Sequence, residues 1–322
     1  MEKFDRVYSL EEQKDMLGWL KKNNEMPTKY MYFGMGSKRF TAITRRRIGT
    51  DTKHIQQLEH MLLTEKVGVI FEALKLYGYK NFNIIDIGVG DAVPIFPIFQ
   101  YLRRNMPRAG LRYNPIDISP DMLDAASKTI KETFEVFGEK NKWDLDKGNF
   151  EAIARKLNKP GYGNLYMFLG ATLGNMPDIT QDLIHIMESM RSDDYFLVGV
   201  ELLKEADIGT LKEYYNAREL FDVLFTSFEY MGLRKSHFAY RVLFNRKLEQ
   251  LEGYIVPDRD ITISLAGERF VLKKNKEIMM FRSVRFRPEA IVAYFSRAGF
   301  RIEMMTTSRD NKYALILVQP TV

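Results

Sequence analysis

The chain of 322 residues contains no cysteine. This absence excludes disulfides, cysteine-ligated zinc, iron–sulfur clusters and thiol nucleophiles. Long apolar runs are also missing, since no stretch reaches the roughly 18 residues that a membrane-spanning helix needs. The first residues, MEKFDRVYSLEEQKD, are charged throughout and have no apolar signal core. We therefore expect a cytoplasmic protein with no membrane partner.

Histidine is scarce, and its positions are scattered: His54, His60, His185 and His237. His54 and His60 fall on different faces of a predicted helix, which argues against a chelate. With no cysteine to add ligands, we expect no metal cofactor.

Charge is nearly balanced, with 48 basic and 42 acidic residues and a net charge of +6. Two basic stretches, TRRRIG at 44–49 and RSVRFRP at 282–288, are candidate phosphate contacts. A solvated basic patch is the simpler interpretation of both. We favour a small-molecule substrate over a nucleic-acid partner, and the oligomeric state stays open.

Strand and helix patterns alternate through the middle of the chain. The segments FNIIDIG, LRYNPIDIS, NLYMFLG and DYFLVGVEL are predicted strands, with helical segments between them. This alternation predicts a parallel sheet with helices on both faces. The end of the chain, GFRIEMMTTSRDNKYALILVQP, predicts two antiparallel strands at the sheet edge, joined by a short turn at Ser308–Asn311.

Two helix starts carry clear sequence signals, and a break in the strand–helix alternation suggests two domains. SLEE at 9–12 fits a capping box, and Ser119 before Pro120 fits an N-cap. From about 204 to 284 the alternation gives way to helices and the strands DITISL and ERFVLKK. The prediction is an α/β domain of residues 54–203 and 285–322. A second, α+β substrate domain would comprise residues 1–53 and 204–284.

The stretch NFNIIDIGVGDAVP, 81–94, ends a predicted strand with Gly88 and Gly90. Glycines there let the backbone approach a ligand closely. A dinucleotide site wants a third glycine three residues on, where this chain has Val93. The loop therefore favours a nucleoside without a pyrophosphate, although a plain tight turn is the competing interpretation.

The ends of the next strands add matching chemistry. Asp117, at the end of YNPIDIS, is placed to accept hydrogen bonds from ribose hydroxyls, because Ser119 already serves as the helix cap. In KGNF, 147–150, Asn149 is placed to read the adenine edge and Phe150 to pack on its ring.

The loop after the fourth strand is FLGATLGNMPD. It lacks the Asn/Asp-Pro-Pro-aromatic stretch typical of enzymes that methylate the amines of nucleic-acid bases. Asn175 in this loop is a candidate for binding a small polar substrate. A Rossmann-like sheet that ends in an antiparallel hairpin is typical of S-adenosylmethionine (SAM)-dependent methyltransferases of class I.

Several strings together resemble one family, the histidine-specific SAM-dependent methyltransferases of the ergothioneine pathway type. They are YFGMGSKRFTAIT, IDIGVGD, YNPIDIS, GNF, FLGATLGN, LVGVELLKEAD…YYN and RSVRF, in order from about residue 29 to 287. The resemblance implies a SAM-dependent enzyme that releases S-adenosylhomocysteine (SAH). It implies cofactor contacts from Gly88, Gly90, Asp117, Asn149, Phe150 and Gly170. It also implies that Tyr32, Asn175 and Tyr215 hold the carboxylate and amine of an amino acid, with Ser283 near its side chain.

The sequence departs from the family pattern at the substrate. Gly49 stands where the family has a tyrosine, and Gly253 stands where it has a methionine. Phe281 stands where the family has the glutamate that holds the imidazole. The lysine that the family has after the loop of Gly88 and Gly90 is missing. Two changes open space, and one exchanges a carboxylate for a phenyl ring. We expect N-methylation of an amino acid or derived metabolite other than histidine, with a larger or more apolar side chain, such as an aromatic or prenylated one.

Methyl transfer to an amine is an in-line displacement, so we expect positioning to contribute more than general-base catalysis. Two alternatives stay open at this point. One is an RNA- or protein-directed methyltransferase, supported by the basic stretches. The other is a SAM-binding protein without catalysis, which the missing lysine permits.

Overall fold

A computed structural model describes residues 3–47, 55–75, 78–136, 140–144 and 150–321. The chain divides into two compact units. The sheet unit comprises Thr44–Lys204 and Arg285–Val322, and the insertion unit comprises Met1–Ile43 and Glu205–Val284. The candidates Gly49 and Asn149 lie outside the described residues, so they remain predictions.

The described helices are, in chain order, α1 Phe4–Val7, α2 Leu10–Asn23, α3 Met35–Arg47, α4 Ile55–Lys75, α5 Phe96–Asn105, α6 Pro120–Phe134, α7 Phe150–Leu157, α8 Ile179–Glu188, α9 Ile208–Tyr215, α10 Arg218–Leu224, α11 Thr226–Tyr230 and α12 Pro288–Arg297. The described strands are β1 Asn81–Ile87, β2 Leu111–Asp117, β3 Asn141–Lys142, β4 Tyr162–Phe168, β5 Tyr195–Glu201, β6 Phe238–Asn245, β7 Gln250–Pro257, β8 Ile261–Leu265, β9 Glu268–Leu272, β10 Ile278–Val284, β11 Phe300–Thr307 and β12 Tyr313–Pro320.

The sheet unit is built on a sheet whose described strands run in the order β11-β12-β5-β4-β1-β2-β3. Strands β1 to β5 pair in parallel, while β12 runs antiparallel to both β5 and β11. Residues of β5 and β12 are buried along their whole length, as expected of strands covered on both faces. The predicted parallel sheet with an antiparallel C-terminal pair is confirmed.

Local helix signals also act as predicted. Ser9 and Glu12 form a reciprocal capping box at the start of α2. The Ser119 side chain accepts a hydrogen bond from the Met122 N–H at 3.3 Å, and Pro120 occupies the first turn of α6. Because Ser119 caps this helix, the neighbouring Asp117 side chain is not needed as the cap.

The insertion unit contains an antiparallel sheet in the order β10-β7-β6 and a separate β8–β9 hairpin. The sequence predicted the hairpin strands but missed the larger sheet. Strand β7, QLEGYIVP, shows no alternation of apolar and polar residues. Gln250 and Glu252 are polar although they are buried, and Gly253 has no side chain. A period-2 apolar pattern is the usual strand signal, and here it is interrupted.

Candidate active site

The glycine loop follows β1 at the carboxyl edge of the parallel sheet. Gly88 and Gly90 have φ angles of 65° and 56°, a left-handed conformation that glycine tolerates without strain. The Gly88 N–H donates to the Ile116 carbonyl at 2.8 Å, which ties the loop to β2. Apart from its two chain neighbours, no described residue lies within 4 Å of where a Cβ would stand on Gly90. A ligand can therefore approach the backbone there.

Asp117 ends β2 beside this loop and is half-buried. Its Oδ1 accepts from the Ser119 N–H at 2.9 Å, and its Oδ2 from the Gly90 N–H at 3.3 Å. Burial raises the pKa of Asp117 to about 6, against the opposing effect of these backbone hydrogen bonds. Each carboxylate oxygen still has a lone pair for a further donor, such as a ribose hydroxyl.

An aromatic cluster follows β3. Phe150 opens α7 and is only 1% exposed, with its ring 4.8 Å from that of Trp143 and 6.2 Å from that of Tyr166. Trp143 is half-buried, and its backbone N–H donates to the Asp117 backbone carbonyl at 3.0 Å. Sequence reasoning missed Trp143, although it is one of only 2 tryptophans. The indole, which packs on Phe150, is a flat apolar surface suited to a nucleobase.

The loop after β4 reaches the glycine loop. A Cβ on Gly88 would lie 3.3 Å from Thr172 Cγ2, so the two loops are close neighbours. Gly170 and Ala171 both have positive φ angles, 70° and 58°, and a 3-10 turn then runs from Thr172 to Asn175. Asn175 is half-buried. Gly88, Gly90, Asp117, Gly170 and Asn175 thus follow parallel strands that end at one edge of the sheet.

Two buried acids lie under this edge, and sequence reasoning assigned neither. Asp86, in the apolar strand β1, accepts from the Tyr113 hydroxyl at 2.8 Å, and burial raises its pKa to about 8. Glu59, on α4, accepts from the Gly170 N–H at 2.9 Å, and burial raises its pKa to about 7. The signal for Asp86 was an acid inside an apolar run; Glu59 gave no comparable signal.

The insertion unit brings three of the predicted substrate residues together. The Tyr215 ring, at the end of α9, stacks on Phe281 with centroids 4.9 Å apart and an interplanar angle of 22°. The Tyr215 hydroxyl lies 3.4 Å from Ser283 Oγ. Phe281 and Ser283 are two positions apart on β10, so they share a face of that sheet.

Gly253 pairs with Phe281 across the β7–β10 ladder. A Cβ on Gly253 would lie 2.0 Å from Phe281 Cε1, a distance no packed structure allows. The space left by the missing side chain is therefore filled by the Phe281 ring, which is 3% exposed. The expectation that Gly253 enlarges the pocket is wrong in this respect.

Tyr32 ends a 3-10 turn, Thr28–Tyr32, and is half-buried. Its ring meets Phe40 edge to face, with centroids 5.0 Å apart. The structure thus gives Tyr32 a packing contact within the insertion unit, on an element separate from α9 and β10.

Two of the three arginines in the basic stretch at 282–288 are engaged internally. The Arg282 guanidinium donates to the Glu25 carboxylate. Arg285 is 1% exposed and pairs with Glu201 at 2.9 Å. Neither of these two side chains is presented to a phosphate, whereas Arg287 is exposed. The stretch therefore offers one exposed arginine to an RNA substrate, which weakens this support.

Among the described ranges, no group of three or more histidine or acidic side chains is placed to hold a metal ion. Within the same part of the chain, no helix combines the length and apolarity needed to cross a membrane.

The model of the family described as histidine-specific methyltransferase, SAM-dependent, matches residues 12–320. The chain belongs to this family. It is a SAM-dependent methyltransferase, and its cofactor is SAM. No curated protein sequence matches the chain.

Three solved structures are similar to this chain. The CurJ carbon methyltransferase has a TM-score of 0.52 at 11% identity, covering 97% of this chain and 66% of that one. A SAM-dependent methyltransferase from Clostridium acetobutylicum ATCC 824 has a TM-score of 0.48 at 12% identity, covering 88% and 99%. Magnesium protoporphyrin IX methyltransferase from Synechocystis PCC 6803, with bound SAH, has a TM-score of 0.45 at 12% identity, covering 91% and 97%. At such identities the CurJ likeness concerns the fold alone.

The residues at the sheet edge fit the cofactor of this methyltransferase family. SAM carries ribose hydroxyls, an adenine ring and no phosphate. Asp117 offers acceptor oxygens, Trp143 offers a flat ring, and the Gly90 backbone is open to close approach. These are the groups that an adenosyl ligand needs.

Proposed function

We propose that the enzyme methylates the amino group of an amino acid, or of a metabolite derived from one, whose side chain is larger or more apolar than that of histidine. The observation that carries this proposal is the Phe281–Tyr215 pair. Phe281 has no acceptor oxygen, and its ring packs on Tyr215 and over Gly253. The surroundings of Phe281 are therefore aromatic where the family resemblance places a carboxylate.

The missing acceptor disfavours histidine on energetic grounds. An imidazole N–H buried without a partner costs about 1–3 kcal/mol, which weakens binding roughly 5- to 150-fold. An apolar side chain has no such donor and gains from contact with an aromatic wall. Aromatic amino acids are the first candidates by this reasoning.

We assign the cofactor to the sheet unit and the amino acid mainly to the insertion unit. The assignment follows the predicted domains 54–203 with 285–322 and 1–53 with 204–284, although the first boundary of the two units lies between Ile43 and Thr44. Among described residues, Gly88, Gly90, Asp117, Phe150 and Gly170 are proposed to contact SAM, with Trp143 added beside Phe150. Support comes from their positions after the parallel strands.

Tyr32, Tyr215 and Asn175 are proposed to hold the amine and carboxylate of the acceptor, with Ser283 near its side chain. The hydroxyl of Tyr215 lies 3.4 Å from Ser283 Oγ, so polar atoms border the aromatic pair. Y32F and N175A are expected to lower turnover with the identified acceptor. Unchanged turnover in both would contradict the assignment of these two residues.

Bound SAM supplies an electrophilic methyl group on a positively charged sulfur. The protein has to hold a neutral amine about 3 Å from that methyl carbon, in line with the sulfur, and keep water out. Tyrosine hydroxyls can accept a hydrogen bond from the amine and so direct its lone pair. A desolvated site also lowers the pKa of the amine, which favours its neutral form.

Binding calorimetry with SAH present tests the choice of substrate. We expect phenylalanine, tyrosine or tryptophan to bind at least tenfold more tightly than histidine. F281E should reverse part of this preference because it restores an acceptor, while F281L, which stays apolar, should not. Preferred binding of histidine by the wild-type enzyme would refute the proposal.

A further inference from the structure

Glu59 is a fully buried acid with partners on two other elements of the sheet unit. It lies on α4 and is 0% exposed. Its Oε2 accepts from the Gly170 N–H at 2.9 Å and from the Tyr313 hydroxyl of β12. One carboxylate oxygen thus links a helix, the last strand and the start of the loop after β4.

The niche around this carboxylate exists because Gly199 of β5 has no side chain. A Cβ on Gly199 would lie 2.5 Å from Glu59 Oε2 and 2.0 Å from the Tyr313 oxygen. The second oxygen, Glu59 Oε1, is buried and has no hydrogen-bond partner among the described residues. Burying a carboxyl with one oxygen unsatisfied is costly, so an apolar residue would serve the core better.

The loop that Glu59 contacts has an unfavourable backbone. Gly170 and Ala171 are successive residues with φ angles of 70° and 58°. The left-handed region is disfavoured for a residue with a Cβ, such as Ala171. Gly170 is the first of these two left-handed residues, and its N–H donates to Glu59. This hydrogen bond stabilises the unfavourable backbone at the start of the loop.

We propose that Glu59 is a positioning residue for methyl transfer, acting through the Gly170 N–H on the loop 170–175. By fixing the first residue of the loop, it sets the position of Gly170 towards the cofactor and of Asn175 towards the amine. The inference rests on the proposed assignment of this loop to the cofactor and substrate. Glu59 itself, being fully buried, touches neither.

SAH binding to the full chain tests this role without knowledge of the methyl acceptor. E59A should bind SAH about tenfold more weakly, because the loop loses its acceptor. E59Q should stay within about threefold of the wild type, because its side-chain carbonyl can accept from the Gly170 N–H. Rescue by glutamine separates positioning from charge and from simple core packing.

L63A is the matched control for lost packing. Leu63 is buried on the same helix, in the apolar core. The variant should lower the melting temperature yet keep the SAH affinity of the wild type. Where E59A does not fold, E59D replaces it: the carboxyl is kept but one methylene shorter, so the Gly170 contact should be lost and affinity reduced about fivefold.

Wild-type SAH affinity in folded E59A or E59D would overturn the role of Glu59 and leave the cofactor assignment intact. An E59Q affinity as weak as that of E59A would have the same consequence. A wild-type enzyme that binds no SAH would instead overturn the cofactor assignment and this inference with it. The two failures are therefore distinguishable.

Discussion

The Phe281 ring fills the space over Gly253, where a Cβ would come within 2.0 Å of Phe281 Cε1. The two residues pair across adjacent strands of the insertion unit. A small residue and a large one are thus complementary here, and neither can change alone without disturbing the packing.

This complementarity predicts a strong coupling in a double-mutant cycle. G253A should destabilise the protein by about 1–3 kcal/mol, because the new methyl group overpacks the site. In an F281A background the same change should cost much less, since the ring is gone. Urea unfolding of the four proteins measures the coupling; simple additivity would contradict the packing described.

Trp143 is predicted to report cofactor binding. Its ring packs on Phe150 and its backbone is tied to Asp117, so an adenine bound there would stack near the indole. SAH should change the tryptophan fluorescence of the wild type and of W19F, but not that of W143F. A full fluorescence change in W143F would place the adenine elsewhere.

Substitutions of Asp117 and Ser119 are predicted to have different effects, because Asp117 is proposed to bind the ligand and Ser119 caps a helix. D117A should weaken SAH binding at least tenfold, because the ribose loses a charged acceptor. S119A should lower the free energy of unfolding by about 1 kcal/mol, the usual value of an N-cap, and leave the affinity within threefold. Calorimetry and urea unfolding check both; equal affinities in D117A and S119A would contradict the assignment.

Stability without cofactor is predicted to fall as pH rises above about 4, because Asp86 keeps its proton in the folded state. Burial raises the pKa of Asp86 from 3.8 to about 8, while the unfolded chain releases that proton near its usual value. Between these two pH values the folded state therefore binds more protons than the unfolded chain. The stability that the protonated Asp86 contributes is lost as pH rises through about 8. Glu59 and Asp117, with pKa values raised to about 7 and 6, act in the same direction.

Urea unfolding of the cofactor-free protein from about pH 5.5 to about pH 8.5 measures this slope. D86N should flatten it, because the titrating group is removed while an oxygen remains for the Tyr113 hydroxyl. The exposed Asp124 of the same unit supplies the control, D124N, which should keep the wild-type slope. Identical slopes in all three proteins would contradict the account of Asp86.

Local signals in the sequence were enough to predict the sheet and about half of the residues of the candidate site. The apolar runs of β1 and β4, the cap at Ser119 and the glycines after β1 each act through neighbouring residues, so they can be predicted from a short window. The edge where Asp117, Gly88 and Gly170 meet then follows from parallel pairing.

The rest depends on contacts that are distant in sequence. Glu59 meets Tyr313 across a separation of 254 positions, and nothing near Glu59 indicates that partner. Trp143 follows β3, which has only two residues and therefore no periodic pattern. Gly253 reads as open space in the sequence, and only the register of β7 with β10 reveals that Phe281 fills it.

Transfer of a labelled methyl group from SAM is the most direct measurement of the proposed function. The purified enzyme is incubated with methyl-labelled SAM and a panel of amino acids, and in parallel with a cell extract, and the labelled products are identified by mass spectrometry. We predict label on the amino nitrogen of an amino acid or amino-acid-derived metabolite more apolar than histidine. Label on histidine in preference to such compounds, or on RNA or protein, would contradict the account.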